Sequence, residues 1–168
     1  MRNTRIPPLA RLETTIEAAP AALYGIHRAM EDFWRAVDRL AQTVPHLPDA
    51  RWRMQFDMAV WEVGTNIVRH GHPPEAAISG LVELQISMHD NRAEAHFTDH
   101  GLPWEEPTAD IARAWCADST LALPESGLGL HIVRRTLDTF SYNRTDDGTN
   151  HWNLIKLLHV GPREIDDI

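Results

Sequence analysis

Three short stretches carry residue types that can act on a ligand. The first runs from Phe56 to His72, FDMAVWEVGTNIVRHGH. On a helical period Glu62, Asn66 and His70 recur at spacings of four and stack on one polar stripe. Phe56, Val60, Val63 and Ile67 form an apolar stripe beside it. Such a helix buries one stripe and presents a carboxylate and a carboxamide to a ligand from the other. The second stretch is Asp99-His100-Gly101, at the end of a strand-like run. Its carboxylate can accept from a ligand amine, and its glycine lets a flat ring lie close to backbone. The third is Ser126-Gly127-Leu128-Gly129-Leu130, a glycine-containing turn that opens a helix. Bare amides there can approach phosphate oxygens, helped by the positive end of the helix dipole. Each stretch alone also fits a plainer role: an amphipathic helix with solvated polar residues, a strand-end turn, and glycines that serve helix–strand packing.

The surrounding pattern supplies elements to hold them. Leu9 to Glu17 reads as a first strand at an edge, and Ala21 to Val44 as a long amphipathic helix broken by Pro45, Pro48 and Asp49. Arg51 to His70 is a second helix, stopped by Gly71, Pro73 and Pro74. Leu81 to Met88 and Ala93 to Thr98 alternate as a hairpin around Asp90-Asn91. Leu102 to Glu125 holds three prolines and at best a short helix; a long connection of this kind inside a domain is often a functional lid. A helix from Ser126 through Asp138 follows, then strands Phe140 to Thr145 and Trp152 to Leu158 around an Asp147-Gly148 turn. Strands in hairpins and helices in separate blocks predict an α+β two-layer sandwich, with a mixed or antiparallel sheet covered on one face by helices.

Composition narrows the function. The 168 residues suit one domain, 1–168, and 43% hydrophobic with 24% charged content is globular. A net charge of −8 without a long basic run argues against direct nucleic-acid binding, since nothing supplies counter-charge to a phosphate backbone. It suits a basic protein partner instead. The lone cysteine, Cys116, leaves no internal disulfide, and nothing nearby marks it as a nucleophile. MRNTRIPPLA lacks the apolar core of a signal peptide, and no apolar run is long enough to span a membrane. A cytoplasmic location is expected. Among ten histidines only His70-Gly71-His72 forms a close pair. It reads as solvated histidines at a helix end, where the dipole favours a cation, rather than as a zinc site.

Known loops exclude some chemistries. Gly127-Leu128-Gly129 is followed by no Gly-Lys-Ser/Thr, so it is no Walker A loop, and a third glycine for a dinucleotide fingerprint is missing. Pro124 stands where a nucleophile elbow around Ser126 needs glycine.

Glu62-x-x-x-Asn66, then Asp99-x-Gly101, then Gly127-x-Gly129, in that order, resemble the N box and two glycine boxes of GHKL ATPases, the superfamily of gyrase and the histidine kinases. Within it WEVGTNIVRHG (61–71), DHGLPW (99–104) and the stretch from Ser126 onward look most like the anti-sigma factor, serine-protein kinase branch. The likeness spans about residues 9–158, with an ATP lid at about 102–126. It implies the Bergerat ATP-binding fold, with ATP and Mg²⁺ as cofactors. By the same resemblance Asn66 holds the metal, Glu62 is the catalytic base, and Asp99 accepts from the adenine amino group with Gly101 beneath the ring. Gly127, Leu128, Gly129 and Leu130 form the phosphate-contacting turn. The activity implied is that of an ATP-binding anti-sigma factor. Such a protein phosphorylates serine or threonine on a small anti-anti-sigma (STAS-type) antagonist, binds a sigma factor, and in many relatives forms a homodimer. The alternatives are a non-catalytic ATP-gated regulator and a detached histidine-kinase catalytic domain. Two positions depart from the pattern. Glu125 stands where some relatives place a basic residue near the terminal phosphate, and Asn153 stands for a threonine that relatives carry near the adenine.

Overall fold

The computed structural model describes residues 7–19, 22–44, 46–73, 80–105 and 128–158. Strand β1 (Ala10–Glu17) comes first, then helices α1 (Ala22–Asp38) and α2 (Ala50–Asn66). Helix α2 runs without a break into a π-helical turn, Ile67–Gly71. The hairpin β2 (Leu81–His89) and β3 (Arg92–Asp99) follows. Helix α3 (Leu128–Thr136) and the hairpin β4 (Thr139–Arg144) and β5 (Asn150–Leu157) complete the described chain.

The strands form one sheet in the order β1-β2-β3-β5-β4, and every neighbouring pair is antiparallel. The expected choice between a mixed and an antiparallel sheet is thereby resolved. Strand β1 is an edge, as its imperfect alternation suggested. Period-2 alternation sorts the faces. Val82, Leu84, Ile86 and Met88 of β2, Ala93, Ala95 and Phe97 of β3, and Trp152 and Leu154 of β5 are buried on the inner face. Glu94, His96 and Asn153 lie on the outer face, among polar neighbours. Ile26, Phe33, Trp34 and Val37 of α1 join the inner face in one core with Phe56, Val60 and Val63 of α2 and Ile67. The architecture is the α+β sandwich that the element order implied, helices on one face.

Boundaries moved where tertiary contacts override local period. Helix α1 ends at Asp38 rather than Val44. Tight turns follow, with Leu40 N donating to Val37 O at 2.9 Å and Thr43 N to Leu40 O at 2.8 Å. Asp38 instead pairs with Arg53 Nη1 at 2.7 Å and ties the end of α1 to α2. Asp49, read as a breaker, is the N-cap of α2 and accepts from Trp52 N at 2.8 Å. The α-helix expected through His70 stops at Asn66. The π turn keeps Ile67 and Val68 buried and leaves His70 exposed, so His70 does not continue the Glu62–Asn66 stripe. Gly148 has φ 86° in the β4–β5 turn, a conformation glycine adopts without penalty. Among the described residues no helix is long and apolar enough to cross a membrane.

Candidate functional site

Strand β3 delivers Asp99 to the inner face at its last residue, where the carboxylate is only 1% exposed. A buried carboxylate needs donors, and the exit from β3 and strand β5 supply them. Asp99 Oδ1 accepts from Gly101 N at 2.8 Å and from Asn150 Nδ2 at 2.8 Å. Oδ2 accepts from Trp152 Nε1 at 3.0 Å. Asn150 and Trp152 alternate on β5, and Asn150 lies directly across the ladder from Asp99. His72 Nε2 stands 3.4 Å from Oδ1. With one donor among the described residues, Oδ2 keeps acceptor capacity for a ligand amine.

Gly101 is required by close approach. A Cβ there would meet the Gly71 carbonyl, with its carbon at 2.8 Å and Asp99 Oδ1 at 2.9 Å. Leu102 N donates to Gly71 O at 2.8 Å, so the end of the π turn and the exit from β3 are joined backbone to backbone. The β4–β5 hairpin holds the same bend from its far side. Arg144 Nη1 donates to Gly101 O at 2.9 Å, and Trp104 N donates to Tyr142 OH at 3.0 Å. The Trp104 ring packs against Phe140, Tyr142 and Trp152.

Glu62 and Asn66 lie half-buried on the last two turns of α2. The Glu62 carboxylate lies against Gly129, where a Cβ would collide with its oxygen and sit 2.7 Å from Cδ. Gly129 is the second residue of α3, in the turn whose N–H groups have no intrahelical acceptor. Glycine therefore lets a carboxylate rest on the electropositive end of a helix. Asn66 sits at the junction with the π turn and makes no side-chain hydrogen bond that caps it. Gly71 follows Glu62 by nine residues, at most about 13–14 Å of advance at the rise of an α-helix, with the π turn shortening it. Helix α2 and its π turn thus run from the head of α3 to Asp99, a span on the scale of a mononucleotide from phosphate to base.

Of the residues singled out in the sequence, Glu62 is brought against Gly129, and Asp99 against Gly101. Asn66 lies on α2 between these two contacts. Leu128 begins α3 and Leu130 is partly buried against the core. Gly127 and residues 106–126 of the lid lie outside the described residues; only its first residues, 102–105, are described. Two readings are corrected. Asn153 is not near Asp99: it lies on the outer face, with Oδ1 2.6 Å from His96 Nδ1 and Nδ2 donating to Ser141 Oγ. Asn150, on the inner face, stands beside Asp99 instead. His72 is not solvated: its ring is buried against Gly80 and Asp99 while His70 is exposed. Sequence reasoning missed Asn150, Trp152, Tyr142 and Arg144. Alternation counted back from Leu154 through Trp152 would have placed Asn150 on the inner face.

The donor set fits a magnesium nucleotide. Magnesium is commonly held by one or two protein oxygens with the rest from phosphates and water, and Asn66 offers one such oxygen. Among the described residues no group of three or more His, Cys, Asp or Glu could hold a metal on its own. The first turn of α3, with Gly129 bare of a side chain, suits phosphate, and Asp99 suits an amino-bearing ring. No curated protein matches the chain. A family profile for the histidine kinase-like ATPase domain matches residues 16–154, which include every residue of this arrangement. The chain therefore belongs to the histidine kinase-like ATPase domain family, within the ATP-binding GHKL superfamily.

Proposed function

We propose that the protein is an ATP-dependent serine/threonine kinase of the anti-sigma type, acting on a small anti-anti-sigma (STAS-type) antagonist and binding a sigma factor in a cytoplasmic partner-switching system. The observation that carries the reading is the Glu62 carboxylate held against Gly129 at the head of α3, one helical turn from Asn66. A carboxylate at the phosphate end of the site is placed to take the proton of an incoming hydroxyl. Asn66 would hold the metal, Asp99 with Gly101 would orient the base, and the head of α3 at Gly129 would face the phosphates. Bound Mg-ATP supplies the phosphoryl group, and the metal neutralises its charge. What the chain contributes is position: Glu62 and Asn66 ride one rigid helix, so proton acceptor and metal ligand keep a fixed spacing. The motif likeness to the anti-sigma branch (61–71, 99–104 and 126 onward) supports the choice of substrate class.

Incubation with Mg-ATP and a candidate antagonist should give an acid-stable phosphoprotein, and Glu62→Ala should abolish it. No transfer to any antagonist would remove the kinase claim; an acid-labile product would point to a phosphohistidine and a detached histidine-kinase domain. One residue favours a second reading. Glu125 stands where some relatives place a basic residue near the terminal phosphate, which suits an ATP-gated binding module that does not transfer. Both readings bind ATP; only the first consumes it in a partner-dependent way.

A further inference from the structure

Asn150 is fully buried, and both ends of its carboxamide are engaged. Its Oδ1 accepts from Tyr142 OH at 2.8 Å and from Arg144 Nη1 at 2.6 Å. Its Nδ2 donates to Asp99 Oδ1 at 2.8 Å and faces the carbonyls of Gly101 and Leu102, each at 3.3 Å. This surround fixes the amide's orientation, because a flipped amide would turn its NH₂ toward two donors and its oxygen toward three acceptors. An amide nitrogen has two hydrogens, so the Asp99 contact takes one and the two longer carbonyl contacts share the other.

We infer that Asn150 is the positioning residue that aims Asp99, and that through it the site distinguishes a 6-amino from a 6-oxo purine. The inference rests on the nucleotide reading above and adds a residue to it. Asp99 Oδ1 is held by Asn150 and by Gly101 N, and Oδ2 by Trp152 Nε1. Together they stop the carboxylate from turning about its own axis and leave the open position on Oδ2 pointing one way. A 6-amino group donates to that position. A 6-oxo group cannot, and would face the carboxylate oxygen to oxygen. With the Asn150 amide removed, Oδ1 loses one of its two hydrogen bonds. Arg144, no longer held by Asn150 Oδ1, then competes for the carboxylate.

The test compares ATP with inosine triphosphate, its 6-oxo counterpart, by calorimetry on the full chain with Mg²⁺. Asn150→Thr and Asn150→Val are isosteres of each other; only the first keeps a donor. The valine variant should lose about tenfold or more in ATP affinity, the scale of a hydrogen bond to a charged group. Its affinity for inosine triphosphate should stay within about twofold of wild type, so that the preference collapses. Threonine should restore most of the preference. A valine variant that keeps the wild-type preference, or that loses both nucleotides equally, overturns the inference, since a residue that only supports the fold would weaken both alike. A wild-type chain that binds neither nucleotide overturns the nucleotide reading itself, which separates the two failures. Should neither variant fold, Tyr142→Phe carries the same test by removing one donor to Asn150 Oδ1. It should lower the ATP preference about threefold, and an unchanged preference would count against the inference.

Discussion

At the scale of single residues, Glu62 has two relations to phosphate that pull in opposite directions. As the proposed base it must stand close to the phosphoryl group; as an anion against Gly129 it rests where phosphate oxygens would be favoured. A neutral isostere separates the two. Glu62→Gln should bind Mg-ATP at least as tightly as wild type, because a negative charge beside the phosphate end is gone. Phosphoryl transfer should fall by about two to four orders of magnitude, the range of a lost general base. Calorimetry and a phosphoprotein gel on the same preparation check both halves. Markedly weaker ATP binding would mean that the carboxylate supports the phosphate site rather than opposing it. Gly101 answers a different demand. Gly101→Ala would drive a methyl into the Gly71 carbonyl and disturb the hydrogen bond from Leu102 N. Overpacking of this kind costs about 1–3 kcal/mol, readable as a lower denaturant midpoint at unchanged slope.

At the scale of elements, the β4–β5 hairpin braces the bend around Asp99 and Gly101, and its turn has a pH signature. The Asp147 carboxyl accepts from the Thr145 hydroxyl at 2.5 Å and from Thr149 N at 3.1 Å. These bonds hold its pKa down at about 2, against 3.8 ordinarily. A depressed carboxyl stabilises the fold above its unfolded value and loses that contribution as pH falls through the folded one. Asp147→Asn should therefore remove this carboxyl's share of the slope of the acid-unfolding curve between about pH 4 and pH 2 and lower stability near pH 7 by the same amount, a small one because the turn is fully exposed and screened. The elements differ in how openly the sequence announces them. Phe56, Val60, Val63 and Ile67 predicted a buried stripe, and all four are in the core, because a 3.6-residue period is written by residue type alone. The β2–β3 hairpin was placed to within one residue for the same reason. Three features depended on contacts that no local window contains. The π turn continues an unbroken helical pattern in the sequence, yet the backbone departs from it after Asn66 and ends where Gly71 meets the exit from β3. His72 follows the last periodic residue, so its burial against Asp99 has no pattern to announce it. Asn150 starts β5 two residues before the strand reads as one, which hid its face and sent the adenine-side role to Asn153.

At the scale of the whole molecule, the site is assembled from the ends of separate elements: α2 with its π turn, the exit from β3, the inner face of β5, and the head of α3. The sheet order carries this, since β5 inserts between β3 and β4 and so sets Asn150 and Trp152 beside Asp99. A ligand spanning these ends should stabilise the fold as a unit rather than order one loop. A ligand that binds only the folded state adds RT ln(1 + [L]/Kd), about 2.7 kcal/mol at a hundredfold excess over Kd. For a chain of this size each kcal/mol raises the melting temperature by about 2–4 °C, so saturating Mg-ATP should raise it by about 5–10 °C. Asp99→Asn replaces the proposed acceptor of the amino group by an amide and turns one of its ends into a donor facing Asn150 or Trp152. Its shift should shrink to about 1–2 °C at the same concentration. A scanning melt of both proteins with ATP, and with inosine triphosphate as the control, measures this directly. If Mg-ATP moved neither melting temperature, the ends of these elements would not be acting on one ligand.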